Sequence, residues 1–519
     1  MGSKKNKIDL KQSVMPDYIF TLFCVSFFGI FPIIMHNKYF DITNTRYSFF
    51  TISSLVFVCL CFLAYIFQDV ISEYNQMPSL FYKEKFNYKN PCFWMILFAF
   101  SNVYSMLLSP NILDAFTGRN GRFMGAWTYI VIAMTFLLIT NRVKYQMFPI
   151  IVFTVSCLFS YIVAICQHMG NDFMNYKENI AKKQYYIFVS TFGNINIFAS
   201  FMVISLALFM ALYIFSKKLV VRIISAIMIS LGAICLMIAN SDSAFIGVTV
   251  VSLLLMYVSF NENCFYRFVE TIIYIFTGIF ILVLLNKKVI KKYDKRGGVA
   301  QALDRIWLVV LILVVLLVFY LIVRLIKKKL AKDISKENKK KIMISFTVFL
   351  VICGIAGIVV CIITDRAITK FNYRWGTFRG YIWSKCIDLF CNGTILQKLS
   401  GYGNETLEML TKSNYYDEMI AVTKKVYDNA HNELLQYLVT LGLFGLISYI
   451  GLFVSAVSYI FKNMKDSIIA HISLAVVVGY FAQSLINLNQ PITTPYFFVF
   501  MAIGIGAIRY DKWLALHEE

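Results

Sequence analysis

Long apolar runs recur along almost the whole 519-residue chain, and they limit its fold more than any other feature. A run of about 17–25 apolar residues is long enough to cross the hydrocarbon core of a bilayer as one helix. Backbone polar groups in lipid must be satisfied within the protein, so we expect an all-α, polytopic membrane helix bundle of about 12–14 spans. The sequence predicts spans over residues 17–36, 47–68, 91–109, 123–141, 147–167, 194–216, 220–239, 243–260, 268–286, 305–325, 343–363, 433–461, 468–488 and 494–509.

The composition agrees with a membrane bundle and excludes an ordinary soluble enzyme. Hydrophobic residues make up 59% of the chain and charged residues 15%, whereas roughly a quarter of a soluble domain is charged. The net charge of +21 admits nucleic acid, anionic lipid or an anionic substrate as a partner. Nucleic acid is disfavoured because no basic stretch joins a soluble reader fold. Much of the charge follows from basic cytoplasmic loops.

The placement of Lys and Arg predicts the orientation, because cytoplasmic loops collect these residues. The densest basic cluster runs from Arg324 to Lys341, and placing it inside puts both termini in the cytoplasm. The same parity places the longest loop, 364–432, outside, within a single transmembrane domain over 1–519. Its aromatic and basic residues predict short amphipathic helices resting on the bundle. The basic segment 287–296 also falls outside: either a span nearby is miscounted, or this segment faces an anion.

One histidine stands where the large loop meets the next predicted helix, in Asp428-Asn-Ala-His431-Asn432-Glu433. A histidine at a helix start is more often a capping or interfacial residue. The same position also suits a general base, because the reference pKa of histidine, near 6.5, leaves it neutral at neutral pH. We therefore consider His431 a candidate catalytic residue, with Glu433 as the second candidate.

Arginines on the same predicted side form a second group: Arg119 and Arg122 at the mouth of a span, and Arg374 and Arg379 in the large loop. The planar guanidinium donates paired hydrogen bonds to phosphate oxygens. Each arginine alone could equally bind lipid headgroups. Several arginines converging on one mouth of the bundle would favour a specific anion site.

Two amides open a span from that side, in Gly193-Asn194-Ile-Asn196. Backbone N–H groups and amide side chains at a helix start are suited to an anion or a sugar. Helix capping explains Asn194 readily and explains Asn196 less well. Both are candidate substrate-binding residues.

Several familiar motifs are missing from the sequence. It contains no Walker loop, no HExxH, no GxSxG, and no Asp-x-Asp pair that would hold a divalent ion beside a nucleotide diphosphate. We therefore expect no metal site and no cofactor. If the protein acts on a diphosphate, cationic side chains must offset its charge, which favours a lipid-borne donor.

The motifs around these residues resemble those of the O-antigen ligase and Wzy-type polysaccharide polymerase superfamily. The run from His431 and Asn432 through Gln436 to Gly442 and Gly445 is similar to the family's His-Asn-x-x-Leu-Gln…Gly-x-x-Gly signature after its large external loop. The other matches follow in the family's order: Arg119/Arg122 with Gly125, Thr191-Phe-Gly-Asn194-Ile-Asn196, Asn240-Ser-Asp-Ser243, Arg379-Gly-Tyr-Ile-Trp383 and Gly401-Tyr-Gly403. The chain departs from the family in two respects: it has about fourteen predicted spans instead of about twelve, and no Arg near residues 241–243.

The resemblance implies a metal-independent inverting glycosyltransferase of GT-C-like fold in the cytoplasmic membrane. It would transfer or polymerise glycan from an undecaprenyl-diphosphate-linked donor to an acceptor hydroxyl of a glycan, lipid or surface polymer, at the outer face. His431 would take the acceptor proton or donate to the diphosphate, and Arg119, Arg122, Arg374 and Arg379 would bind the diphosphate. The residues expected to contact substrate are Asn194, Asn196, Asn432 and Trp383.

Other functional classes remain open from the sequence. A lipid-linked oligosaccharide flippase or another polysaccharide transporter is the main alternative, although transporters tend to carry ionisable groups at mid-membrane depth and this chain has few. A membrane acyltransferase with one catalytic histidine is disfavoured, because His431 is predicted outside the bilayer. No residue distinguishes a ligase from a polymerase, since these differ in their acceptor.

Overall fold

The computed structural model describes residues 17–66, 86–119, 122–141, 147–288, 298–330, 372–465 and 467–517. These residues are helical apart from turns and one short ladder, in which β1 (Phe188–Val189) pairs antiparallel with β2 (Gly193–Asn194). The predicted span 343–363 and the segment 289–296 lie outside the described residues. The expected polytopic helix bundle is confirmed.

The first part of the bundle precedes and surrounds the short ladder. Its helices are α1 (Asp17–Cys24), which continues as a π-helix (Val25–Ile30), α2 (Ile42–Ile66), α3 (Pro91–Leu107), α4 (Ile112–Thr117), α5 (Ala126–Ile139), α6 (Phe148–His168), a 3₁₀ turn (Lys182–Ile187), α7 (Ile195–Phe215), α8 (Leu219–Ala239), α9 (Asp242–Asn261) and α10 (Phe265–Lys288).

The second part contains the helices of the predicted large loop and the last spans. Its helices are α11 (Gly298–Leu303), α12 (Ile306–Leu330), α13 (Trp375–Asn392), α14 (Ile395–Ser400), α15 (Leu407–Thr423), α16 (Glu433–Thr440), α17 (Gly442–Asn463), α18 (Ile468–Ser484) and α19 (Thr494–His517).

Eight helices in the described ranges are long and apolar enough to cross a membrane: α2, α6, α7, α8, α9, α10, α12 and α17. Shorter apolar helices accompany them: Tyr18–Ile30, α3, α5 and α18. Each of these helices coincides with a span predicted from hydrophobicity. The polar break at Asn240 is also where the sequence placed it, since α8 ends and α9 begins there.

Helix α7 forms the centre of the bundle. Its most apolar stretch is 100% buried, against 6% for the corresponding stretch of α12. A helix that is apolar on every side is stable only inside protein or lipid, and α7 is enclosed by α8, α9 and α18, whereas α12 packs mainly on α10. The central helix therefore presents its first residues, Asn194 and Asn196, at a fixed place in the bundle.

The prediction of one continuous helix over 433–461 is wrong, because the chain breaks at Gly442. Gly442 has a φ of +68°, in the left-handed region that favours glycine. The break frees the carbonyls of Val439 and Thr440, which accept backbone N–H groups from the Gly-Tyr-Gly turn at 401–403 over 3.1 and 2.9 Å. An apolar run hides such a break, since hydropathy continues through it.

Helices α13, α14 and α15 pack at one end of the bundle, which we call the site end. Residues of α13, α15, α16 and the turn before α16 form a small core: Ile382, Cys386, Leu389, Leu407, Leu410, Ala430 and Val439. The predicted loop thus has a hydrophobic core of its own, and this core supports the residues that follow α15.

Candidate active site

The backbone of His431 is strained and held by a buried amide. Its φ is +50°, which is uncommon for a residue with a side chain. The His431 N–H donates to Asn429 Oδ1 over 2.8 Å, and Asn429 Nδ2 donates to Asn489 Oδ1 over 3.0 Å. The turn that precedes α16 is therefore attached to the interior of the bundle.

The backbone N–H and carbonyl of the neighbouring residue, Ala430, are both hydrogen-bonded. The Ala430 N–H donates to Gln436 Oε1 over 2.9 Å, and the Ala430 carbonyl accepts from Trp383 Nε1 over 2.9 Å. Trp383, predicted to contact substrate, thus supports the backbone of the residue before His431. Its ring lies against that of Trp375, with centroids 5.3 Å apart.

The imidazole of His431 is the group in this turn that the protein leaves open. Nδ1 is buried and has no hydrogen-bond partner among the described residues. Burial, followed by the charges of Arg379 and Arg122, lowers the pKa of His431 to about 4 against the opposing charge of Asp428. The structure therefore brings His431 near two of the predicted arginines and keeps the ring neutral at neutral pH.

Arg379 follows a left-handed turn and points its charge at the same place. Residues 376–378 have positive φ, and the regular part of α13 begins after them. The half-buried Arg379 guanidinium has no hydrogen bond or ion pair with any described residue, and burial lowers its pKa against the opposing charges of Asp242 and Tyr427. A desolvated guanidinium without a partner among the described residues is suited to bind an anion.

Arg122 reaches the site in a different state, because it is already paired. Its Nε and Nη2 donate to the two carboxylate oxygens of Asp428 over 2.9 and 3.0 Å. The loop that carries it is closed by Gly118 and Gly125, since a Cβ at Gly125 would lie 2.6 Å from the Gly118 nitrogen. The ion pair ties this loop to the turn of His431 and leaves a net charge near zero at that point.

Glu405 is a site residue that the sequence analysis missed. Its carboxylate accepts the backbone N–H of Arg122 over 2.8 Å. Burial raises the pKa of Glu405 to about 7, the backbone N–H and the charge of Arg122 oppose this, and Asp428 and Glu408 add to it. Its position two residues after Gly403, the end of the Gly-Tyr-Gly turn, is the sequence signal that could have pointed to it.

Arg119 and Arg374 lie on the periphery of this arrangement. Both side chains are exposed, and neither is among the charges that shift the pKa of His431. Their assignment to a diphosphate site remains a prediction. Arg374 precedes α13, where its N–H donates to Asn372 Oδ1 over 3.0 Å.

The two amides at the start of α7 have different surroundings. Asn194 caps the helix, because its Oδ1 accepts the N–H of Asn196 over 2.8 Å. Asn196 Oδ1 accepts from Ser241 Oγ over 3.1 Å, and Asn487 Nδ2 donates to the Asn196 carbonyl over 3.0 Å. The motif at α7 therefore meets the polar break between α8 and α9, next to Asp242.

Asn432 and Glu433 begin α16. Asn432 Oδ1 caps the helix by accepting the N–H of Leu435 over 3.1 Å. Glu433 is fully buried, and its two carboxylate oxygens accept the hydroxyls of Tyr437 and Tyr449 over 2.9 and 3.0 Å. This arrangement gives Glu433 supporting contacts inside the bundle, and its role in catalysis remains a prediction.

The fold and the site together define a polytopic membrane protein that holds one buried imidazole in the field of two arginines at an end of its bundle. Residues 304–450 match the family model Wzy_C, described as O-antigen ligase. The chain is therefore a polytopic membrane protein, and its residues 304–450 are similar to an O-antigen ligase domain. The matched stretch contains Arg374, Arg379, Trp383, His431, Asn432 and Glu433. No curated protein matches the chain.

Proposed function

We propose that this protein transfers or polymerises a glycan from an undecaprenyl-diphosphate carrier to an acceptor hydroxyl at the outer face of the cytoplasmic membrane. The site end then faces outward and both termini lie in the cytoplasm. The acceptor is a second lipid-linked glycan, a lipid or a surface polymer. The donor carries its own activated bond, so the reaction needs no nucleotide.

One observation supports this proposal above all others. A neutral imidazole with an unpaired Nδ1 lies in the field of two guanidinium groups, one of which, on Arg379, has no partner in the described part of the chain. An anion with a leaving oxygen suits the arginine, and a hydroxyl that must lose a proton suits the imidazole. A lipid diphosphate bearing a glycan, together with an acceptor sugar, supplies both.

The residues then divide the reaction between them. The acceptor oxygen attacks the anomeric carbon and loses its proton to Nδ1 of His431, while the bond from that carbon to the diphosphate oxygen breaks. The electron pair of this bond leaves with undecaprenyl diphosphate, and Arg379 stabilises the charge that develops there. A single inverting displacement follows, because the acceptor attacks opposite the leaving group. A preorganised donor of this kind contributes about 2.7–4 kcal/mol to transition-state stabilisation.

Donor binding also makes His431 a stronger base. In the free protein, burial and the arginine charges together hold the pKa of His431 near 4, too low for an efficient base at neutral pH. A bound diphosphate offsets those charges and raises the pKa toward its ordinary range. The base thus becomes effective once the donor is in place.

The proposal is tested by reconstituting the protein in liposomes with a defined lipid-diphosphate oligosaccharide and analysing product masses. We expect glycan transfer by the wild type and by His168→Gln, and a loss of about 10²–10⁴-fold in His431→Gln, the range of general-base catalysis. His168 is a matched control because it lies at the end of α6 and bonds Asn286 over 2.9 Å. Near-normal products from His431→Gln would contradict the role of His431. Translocation without a new glycosidic bond would instead identify a transporter.

A further inference from the structure

We infer that Tyr129 and Asn489 are positioning residues for His431, because a buried hydrogen-bond chain connects Glu433 through them to the strained His431 backbone. The inference rests on the proposed function and adds two residues outside the matched stretch 304–450. Neither residue touches the open nitrogen of the imidazole. Their contribution is to fix where that imidazole stands.

The first half of the hydrogen-bond chain runs from the site into the bundle. The His431 N–H donates to Asn429 Oδ1 over 2.8 Å, and Asn429 Nδ2 donates to Asn489 Oδ1 over 3.0 Å. Asn489 Nδ2 in turn donates to the hydroxyl of Tyr129 over 2.9 Å. Asn489 lies between α18 and α19, so the hydrogen-bond chain joins segments that are far apart in sequence.

The second half ends on a carboxylate. The hydroxyls of Tyr129 and Tyr437 are 3.0 Å apart, and the Tyr437 hydroxyl donates to Glu433 Oε1 over 2.9 Å. Tyr449 donates to the other carboxylate oxygen over 3.0 Å. Because Tyr437 has one proton and gives it to Glu433, the bond between the tyrosines must have Tyr129 as its donor. Every bond then points from His431 toward Glu433.

A one-way chain of this kind fixes the orientation of both amides. Asn429 and Asn489 are 1% and 2% exposed, so water is not a ready substitute for a lost partner. Rotating either amide would place two donors or two acceptors face to face, and such chains strengthen their members by polarisation. Glu433 anchors the direction, which explains a buried carboxylate with both oxygens occupied by hydroxyls.

The hydrogen-bond chain matters for the position of the imidazole because His431 has a left-handed backbone conformation. A non-glycine residue with positive φ persists only where its surroundings impose it. The clamp on the His431 N–H is one such constraint, and the Ala430 contacts are another. Without the clamp, the ring can leave the field of Arg379 and Arg122.

The experiment compares two single-oxygen deletions from fully buried tyrosines. Tyr129→Phe removes the middle of the hydrogen-bond chain, whereas Tyr480→Phe removes a hydroxyl that bonds Thr494 over 2.8 Å and contacts no described member of the hydrogen-bond chain through a hydrogen bond. Both full-length variants are reconstituted as above, with Asn489→Asp as a second test of the chain. We expect Tyr129→Phe and Asn489→Asp to lower kcat by about 10²-fold, the usual effect of displacing a reacting group by an ångström. KM should change little, and Tyr480→Phe should retain kcat.

A measurement without substrate separates positioning from general destabilisation. Diethyl pyrocarbonate modifies only neutral imidazole, so the pH dependence of labelling, read by mass spectrometry on the His431 peptide, reports the pKa of that ring. The midpoint should lie near 4 in the wild type and move toward about 6.5 in Tyr129→Phe. Tyr480→Phe should keep the wild-type midpoint.

The outcomes distinguish this inference from the proposed function. Equal kcat values and equal labelling midpoints in the two tyrosine variants, with His431→Gln inactive, would overturn the positioning role and leave the reaction intact. An active His431→Gln would overturn the proposed function, whatever Tyr129→Phe does. A kcat loss in Tyr129→Phe with an unshifted midpoint would also count against positioning of the ring.

Discussion

The two ends of the bundle hold the same residue types in opposite states. Away from the site end, His471 Nδ1 lies 2.8 Å from the Ser467 carbonyl and Nε2 lies 2.6 Å from a carboxylate oxygen of Glu262. Its ring also packs on Phe215, with centroids 4.0 Å apart. At the site end, Nδ1 of His431 is buried without a partner among the described residues.

The arginines at the two ends also differ in their hydrogen bonding. Arg509 donates to the Thr140 carbonyl over 2.9 Å and to Asn90 Oδ1 over 3.3 Å, while Arg379 has no such bond in the described ranges. A buried polar group without a partner costs about 1–3 kcal/mol. The comparison therefore sets a histidine and an arginine that bond mainly within the protein against His431 and Arg379, whose open groups are the ones that the proposed function assigns to substrate.

The largest expected effect concerns the two arginines. Arg379→Ala should lower transfer by about 10²–10³-fold with little change in thermal stability, because it removes a donor to the leaving diphosphate. Arg509→Ala should do the reverse and lower the melting temperature while the surviving protein stays active. Transfer rates and melting curves of both variants check this. An active Arg379→Ala would remove the distinction between the two ends.

The pH dependence should reveal the open imidazole. His431 is neutral above its pKa, so kcat/KM, which reports the free enzyme, should fall as the pH drops through about 4. The acid limb of kcat should lie at a higher pH, because bound diphosphate raises the pKa of His431. Glu405, with a pKa of about 7, titrates in the neutral range, and the Glu405→Gln variant removes that contribution. Coincident limbs for kcat and kcat/KM would contradict substrate-assisted activation.

The paired histidine should matter for stability alone. His471→Gln should lower the free energy of unfolding by about 1–3 kcal/mol, because it loses a buried contact to a carbonyl and to a half-buried carboxylate. Glycan transfer at a temperature below its melting point should remain near wild type. Thermal melts and product formation test this together, and a selective loss of transfer would show that the far end takes part in the reaction.

The smallest expected effect concerns Trp383 and tests whether it supports the backbone at the site end or contacts substrate. Trp383→Phe keeps the ring contact with Trp375 but loses the hydrogen bond to the Ala430 carbonyl, worth about 1 kcal/mol. Transfer should fall about fivefold, with KM for the glycan unchanged if Trp383 supports the backbone. A raised KM with unchanged kcat would restore the direct substrate contact predicted from the sequence.

Much of the architecture could be predicted because it follows from local patterns. Apolar runs located the spans, and the polar residues at Asn240 located the break between α8 and α9. The grouping of His431 with Arg122 and Arg379 followed from span parity, since residues at ends of the same parity meet at one face of a bundle.

The remaining features depend on contacts between distant segments, for which the sequence carries no local signal. The ion pair between Arg122 and Asp428 joins two loops that are distant in sequence, and neither loop's sequence indicates the other. Asn489 lies between Asn487 and Gln490 just before the last span, where no local pattern distinguishes one amide from the next. The rise in the pKa of Glu405 depends on burial, which a loop sequence does not disclose.

The break at Gly442 has a consequence for how the loop tolerates change in length. The backbone N–H groups of the 401–403 turn donate to the carbonyls just before the break. Residues 404–438 therefore form a loop whose two ends are joined by hydrogen bonds. Glu405 and His431 both belong to this loop and lie toward its joined ends. Insertions in the distant arc around α15 can bulge away, whereas one added residue beside His431 would rotate the imidazole out of place.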